Sequence, residues 1–319
     1  MARDQLVVVR GEDVHGMPAE SYGQELAKRL PDTAVRVART AAEWDRAIPD
    51  ATVVTGSRIT EADLEHAESL ALFACSYAGT DHLPLSRLRD RGVTVTNASG
   101  VHAPNVAEHV VGTLLYFTRK FHIARRRQAR EEWRHYRAGE LAGSEVTVVG
   151  LGAIGTAVCE RLAAFDVDLV GVRHTPERGG PVDTVTGYDD LETAVATTDA
   201  LVLCCPLTDE TRGIVDGPLL RTLPSEAVLV NVARGPVVDT DALLSALQRG
   251  QLRGAALDVT DPEPLPPEHP LWRIESVLLT PHNAGHTPAY YERLAEIVAA
   301  NVTSLRTDES LENVVVDPR

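Results

Sequence analysis

Short apolar runs recur along the first hundred residues, at 6–9 (LVVV), 34–38 (AVRVA), 51–56 (ATVVTG), 70–76 (LALFACS) and 93–97 (VTVTN). Helical patterns lie between most of them, as in PAESYGQELAKRL at 18–30. Apolar strands alternating with helices predict an α/β domain on a mostly parallel sheet. A long helical region follows, 103–138, with Pro104 near its start, where a missing N–H costs nothing. Its first half is apolar on more than one face, which suits a buried linker or an oligomer contact. Its second half is charged. Arg125, Arg126 and Arg127 read as a solvated helix face, with a phosphate site as the alternative.

A second α/β run begins at SEVTVVGLGAIG, 144–155, and predicts further strands at 168–173, 200–205, 227–233, 254–258 and 276–281. A Pro-rich stretch, DPEPLPPEHP at 261–270, sits inside this run and is too short for a linker. A helix at 288–305 and a polar tail close the pattern. A length of 319 residues agrees with two domains, at about 100–200 residues per domain.

Composition narrows the function. Aromatics are 4% of the chain, so the cores are aliphatic, and the net charge of −15 argues against general binding to nucleic acid. Only two basic residues are lysines, Lys28 and Lys120, which fits either a GC-rich genome or a salt-adapted protein. Cys75, Cys159, Cys204 and Cys205 have no Cys-x-x-Cys spacing and read as free thiols in a reducing cytosol. The N-terminus lacks a charged-then-apolar signal pattern. No apolar run approaches the roughly 18 residues of a membrane span. The expectation is a cytoplasmic protein without membrane or metal partners, since the histidines lack ligand spacing.

The chemistry starts at Gly150, Gly152 and Gly155, which form G-x-G-x-x-G between an apolar strand and a helical pattern. Gly150 allows the tight turn, Gly152 lets backbone approach a pyrophosphate, and Gly155 lets helix pack on strand. The amides of Ala153 and Ile154 would then face the phosphates at a helix N-terminus. An acid at the end of the next strand would bind the ribose 2′-hydroxyl of NAD. Here that place holds Arg173, followed by His174 and Thr175, with Arg178 near. A cation attracts a 2′-phosphate, so the pattern predicts NADP(H), with NAD(H) as a further possibility if Arg173 points to solvent.

Three strand ends downstream carry LVNVARGPVVD (229–239), ALDVTDPEPLP (256–266) and LLTPHNAG (278–285). Ligands collect at the carboxyl ends of strands in open parallel sheets, so Arg234, Glu263 and His282 could share a crevice. A guanidinium grips a carboxylate, an imidazole donates a proton near neutrality, and a neighbouring carboxylate favours the protonated ring. Singly, each also has a plain structural use as a sheet-end ion pair, a solvated acid or a turn histidine.

Together GLGAIG, PLTDETRG, LVNVARGPVVD, GAALDVTDPEPLP and LLTPHNAG, in this order, resemble the D-2-hydroxyacid dehydrogenase family over nearly the whole chain. The resemblance implies two doubly wound α/β domains, a Rossmann-like cofactor domain (99–287) inserted in a flavodoxin-like substrate domain (1–98 plus 288–319). It implies a homodimer, and reduction of small 2-keto acids to D-2-hydroxy acids. By the same resemblance Arg234 would bind substrate, and His282, paired with Glu263, would donate the proton. Tyr77, Ala78 and Gly79 would hold the substrate carboxylate through backbone amides. Cys205, Pro206 and Thr211 would line the adenosine side, and Val232, Asp258 and Gly285 would lie on the cofactor, the first two near the nicotinamide carboxamide. Two departures stand out: the missing acid at Arg173, and Asn283 and His286 where small or apolar residues are common. His286 reads as the start of the last helix. Alternatives are a glyoxylate/hydroxypyruvate reductase using NAD(H) or both cofactors, and a non-enzymatic cofactor-sensing regulator on the same scaffold. Formate dehydrogenase, a relative, is set aside because the pairing here is Glu–His rather than Gln–His.

Overall fold

A computed structural model describes residues 5–307 and 309–318. The chain forms two compact units, Met1–Val101 with His286–Arg319, and His102–Gly285. The sequence boundaries after 98 and 287 differ by a few residues. Val101 belongs to the core of the first unit, and the His286 ring packs edge-on to His15 of the same unit, 4.6 Å between centroids. His286 therefore precedes the last helix without starting it.

In the first unit the strands are β1 (Leu6–Arg10), β2 (Ala34–Ala38), β3 (Val53–Gly56), β4 (Leu72–Cys75) and β5 (Thr94–Thr96). Helices α1 (Ala19–Arg29), α2 (Ala41–Ala47), α3 (Glu61–His66) and α4 (Leu85–Asp90) connect them. The sheet runs β2-β1-β3-β4-β5, all parallel, which is the flavodoxin-like order. Alternate residues of β1 enter two cores: Leu6 and Val8 meet Ile48, Phe73 and Leu88, while Val7 and Val9 meet Tyr22, Leu26 and Leu72. Burial on both faces is why these strands read as continuous apolar runs rather than alternating ones. Two segments return late in the chain, α11 (Tyr290–Thr307) on one sheet face and β13 (Val314–Val316) antiparallel to β5. The polar tail thus contains a strand that three residues were too few to announce.

The second unit holds β6 (Glu145–Val149), β7 (Asp168–Val172), β8 (Thr184–Thr186), β9 (Ala200–Leu203), β10 (Val228–Asn231), β11 (Gly254–Leu257) and β12 (Val277–Leu279). Its helices are α5 (Ala103–Thr118), α6 (Phe121–Ala129), α7 (Ala153–Leu162), α8 (Leu191–Val195), α9 (Gly217–Thr222) and α10 (Thr240–Gln248). The parallel sheet runs β8-β7-β6-β9-β10-β11-β12, the Rossmann order with one strand added. Val146, Val148 and Val202 face α5 and α7, while Val149, Leu201 and Leu203 face α9 and α10.

The single helix expected over 103–138 is corrected. Lys120 takes a left-handed φ of 54° between α5 and α6, and the backbone leaves the helix after Ala129. Beyond it, Arg127 donates to the His135 carbonyl at 2.9 Å, a bond that replaces helical pairing. The stretch after Ala129 also has no apolar face to bury: Trp133 is 98% exposed. Among the described residues no helix is long and apolar enough to cross a membrane.

Candidate active site

The three glycines after β6 are each explained by their surroundings. Gly150 has φ +96°, and a Cβ there would lie 2.5 Å from the Cys205 amide nitrogen. A Cβ on Gly155 would collide with the Gly150 carbonyl. Gly152 is different, because a Cβ there meets nothing within 4 Å. It caps the N-terminus of α7, with no side chain taking the first amides and no acid in the first turn. Gly152 and Ala153 are exposed and Ile154 is half-buried. The turn is thus closed against the protein at two glycines and open at the third, beside uncapped amides that suit an anion. These residues fit a dinucleotide pyrophosphate.

At the end of β7 the Arg173 side chain does not stand free. It is half-buried, with Nη1 donating to the Gly179 carbonyl at 2.7 Å. His174 is exposed, and its Nδ1 lies 2.8 Å from Glu210 Oε2. Thr175 precedes a short 3-10 turn that carries the exposed Arg178. The Cys205 and Thr211 side chains are buried, and the Thr211 hydroxyl donates to the Pro206 carbonyl at 2.6 Å. Of the three adenosine-side candidates, two therefore shape the loop from within, and Pro206 alone is exposed. Burial pushes the Cys205 thiol up to about 11 and Cys159 to about 12, so neither is a thiolate nucleophile near neutrality.

Arg234 follows β10 on a turn that the sequence did not single out. Asn231, buried, spans it with both ends of its amide: Oδ1 accepts from Ala233 N at 3.0 Å, and Nδ2 donates to the Arg234 carbonyl at 3.1 Å. A Cβ on the next residue, Gly235, would collide with the Thr260 carbonyl. That close approach sets the Arg234 turn against the loop bearing Glu263. The exposed guanidinium donates to the Ala233 carbonyl at 2.6 Å.

His282 sits beyond β12 with φ +51°, a conformation rare outside glycine and in need of support. Asp258 provides it. Its backbone carbonyl accepts from His282 N at 2.8 Å, and its carboxylate accepts from Asn283 N (2.8 Å), Ala284 N (3.0 Å) and the Thr280 hydroxyl (2.5 Å). Asp258 is 4% exposed, so the side chain expected near the cofactor is engaged first in holding the histidine loop. Val232 is buried just beyond the end of β10, and Gly285 faces the His102 ring, where a Cβ would lie 3.4 Å from Nδ1. His282 Nδ1 meets Glu263 Oε1 at 2.7 Å, and Nε2 has no protein partner among the described residues. Both side chains are about half exposed, 50% and 42%. A cavity of about 500 Å³ adjoins the pair, lined also by Leu265, Trp272 and Leu279. No cluster of His, Cys, Asp or Glu able to hold a metal occurs among the described residues.

The first unit has its own candidate, the loop after β4. The carbonyls of Ser76, Tyr77 and Ala78 are taken by the Tyr290 hydroxyl, Ala98 N and Asn97 Nδ2. The amides of Ala78 and Gly79 have no protein acceptor among the described residues. Tyr77 is 38% exposed. The Tyr77 amide, expected to join them, donates instead to Cys75 Sγ at 3.4 Å; a loop with its carbonyls tied down and two amides free presents donors to an anion. Asn97 and Tyr290, which create this arrangement, carried no signal in the sequence.

A family model described as D-isomer specific 2-hydroxyacid dehydrogenase, NAD binding domain, matches residues 111–284. A glyoxylate reductase of Thermofilum pendens is 38% identical over 255 residues, covering 77% of this chain and 75% of that protein. A D-isomer specific 2-hydroxyacid dehydrogenase family protein from Aeromonas salmonicida superposes with a TM-score of 0.81 at 26% identity, covering 98% and 99% of the two chains. A D-isomer specific 2-hydroxyacid dehydrogenase from Xanthobacter autotrophicus, solved with NADPH and MES, gives 0.80 at 29% identity, covering 99% and 98%.

Proposed function

The chain belongs to the D-isomer specific 2-hydroxyacid dehydrogenase family and is an NAD(P)-dependent oxidoreductase acting on CH–OH groups; from that premise we propose that it is an NADPH-preferring reductase of 2-keto acids, with His282 as proton donor. The observation that carries the proposal is the 2.7 Å bond between His282 Nδ1 and Glu263 Oε1. It fixes the orientation of the ring, leaving Nε2 to face a substrate. Gly150–Gly155 would hold the pyrophosphate of the reduced dinucleotide, which would supply the hydride to the keto carbon. Arg234 grips the substrate carboxylate and keto oxygen. The Ala78 and Gly79 amides, in the loop with Tyr77, add donors to the same carboxylate. His282 Nε2 delivers its proton to the keto oxygen as negative charge develops there, completing a D-2-hydroxy acid. In the reverse direction the neutral ring takes the proton back.

The cofactor preference rests on Arg173, His174 and Arg178 where an acid would select NAD. The Xanthobacter relative bound to NADPH supports it. In this reading the unit His102–Gly285 binds the dinucleotide and the other binds substrate. A homodimer is part of the proposal, supported by Trp133 at 98% and Phe121 at 50% exposure on and after α6, apolar groups that a second copy would cover. Free thiols at all four cysteines fit a cytoplasmic location.

The test is turnover of glyoxylate and larger 2-keto acids, with the handedness of the larger acids' products, glycolate being achiral, read by chiral chromatography. The proposal expects D product and a fall in kcat of about 10²–10⁴-fold in His282→Ala. L product, or a His282→Ala enzyme of undiminished kcat, overturns it.

A further inference from the structure

β7 is followed by Arg173 rather than an acid, yet a carboxylate reaches the same edge from the turn after another strand. Glu210, in the turn after β9, holds Oε2 2.8 Å from His174 Nδ1. Tyr188 ties the group together, its ring 6.4 Å from that of His174. Burial pushes its phenol up to about 12, with the charges of Cys205 and Glu210 adding to the shift and Arg173 opposing it. His174 directly follows Arg173, so the carboxylate that it meets stands at the same strand end. The backbone beneath Glu210 is fixed by reciprocal bonds: Thr208 N to Thr211 Oγ1 at 2.8 Å, and Thr211 N to Thr208 Oγ1 at 3.3 Å.

We propose that Glu210 is a specificity-determining residue for the dinucleotide, supplying from the β9–α9 turn the negative charge that the end of β7 lacks. The proposal deepens the NADPH reading and rests on its placing the adenosine ribose at this edge. A phosphate monoester carries roughly −1.5 to −2 charges near neutrality. Arg173 and Arg178 attract it, while Glu210 repels it and occupies the His174 nitrogen it would use. A ribose 2′-hydroxyl meets the opposite situation, because the Glu210 carboxylate accepts its hydrogen bond. Glu210 therefore narrows the preference that the arginines create. Glu210→Gln keeps the size and removes the charge. NADP⁺ should bind about tenfold tighter at low salt, with NAD⁺ weakened about two- to threefold, and the gain should shrink as salt screens the edge.

The experiment is calorimetric titration of NADP⁺ and NAD⁺ into wild type, Glu210→Gln, His174→Ala and the double variant, at low and high salt. The expected result is a rise of at least about tenfold in the ratio of the NAD⁺ to the NADP⁺ dissociation constant in Glu210→Gln, smaller in the His174→Ala background. A ratio within twofold of wild type, or moved toward NAD⁺, overturns the role of Glu210. A wild type that binds both dinucleotides equally, with the ratio still rising in Glu210→Gln, removes the NADPH preference and keeps this role. A wild type that prefers NADP⁺, with a ratio indifferent to Glu210, does the reverse.

Discussion

Replacing Asn231 by Leu keeps roughly the volume of the side chain and deletes both bonds that span the Arg234 turn. Each such bond is worth about 1 kcal/mol net, and the Ala233 amide, left buried without an acceptor, costs a further 1–3 kcal/mol or so. Ala233 is 5% exposed, so water does not readily replace the lost partner. The sum, about 3–5 kcal/mol, should lower the melting temperature by roughly 6–20 °C. The functional effect is separate. A displacement of about 1 Å in a substrate-holding group costs about a hundredfold in rate, equivalent to about 2.7 kcal/mol. Since Arg234 is assigned to ground state and transition state alike, most of that loss should appear in KM for the keto acid. Calorimetry should find the NADP⁺ dissociation constant within about twofold of wild type, because the glycine turn is untouched. Asn231→Asp keeps an acceptor for the Ala233 amide and should recover part of the loss. A Leu variant that melts early but keeps the wild-type kcat/KM, assayed well below its melting point, would refute the positioning role and leave Asn231 as structural only.

Gly152→Ala and Gly155→Ala should part ways: the first folds normally but loses dinucleotide affinity in titration, whereas the second collides with the Gly150 carbonyl and loses stability as well. Glu263→Gln should cut kcat for reduction by about 10–100-fold while NADPH affinity holds; a kcat equal to that of wild type would remove Glu263 from the mechanism. Asp63 sits partly buried, which alone would raise its carboxyl, but bonds from Thr60, the Trp44 indole and Arg10 outweigh burial and hold it below the ordinary value. Its stabilising contribution is therefore complete above the unfolded carboxyl's range and is lost as pH falls through the lowered folded value; Asp63→Asn should flatten the acid side of a melting-temperature profile. Burial raises the thiols of Cys75, Cys159, Cys204 and Cys205, so a thiol-specific dye at neutral pH should label the native chain slowly and all four cysteines after denaturation.

Most strands were legible because both sheet faces are buried. β4 and β9 are unbroken apolar runs, β1 and β10 are apolar up to their last residue, and all four are fully buried, or nearly so, in the fold. β8 and β13 were missed because each is three residues long at a sheet edge, with exposed or half-exposed positions that carry little hydrophobic signal. The helix boundary at Lys120 was illegible because a left-handed lysine leaves no residue-type signature, unlike a glycine. Chemistry was legible where geometry demands a residue type, as at Gly150 and Gly155. The supports of the site were not. Thr280 and the clamp role of Asp258 depend on hydrogen bonds between separate strand ends, and the pairing of His174 with Glu210 joins the turns after β7 and β9. Residue spacing along one chain carries no trace of such bonds.

The most direct test is kcat/KM for NADPH and NADH measured side by side, with glyoxylate and larger 2-keto acids, in wild type and Arg173→Asp. The account predicts reduction favouring NADPH in the wild type, with the preference collapsing or reversing in Arg173→Asp. Equal use of the two cofactors by wild type, or a preference untouched by Arg173→Asp, would contradict it.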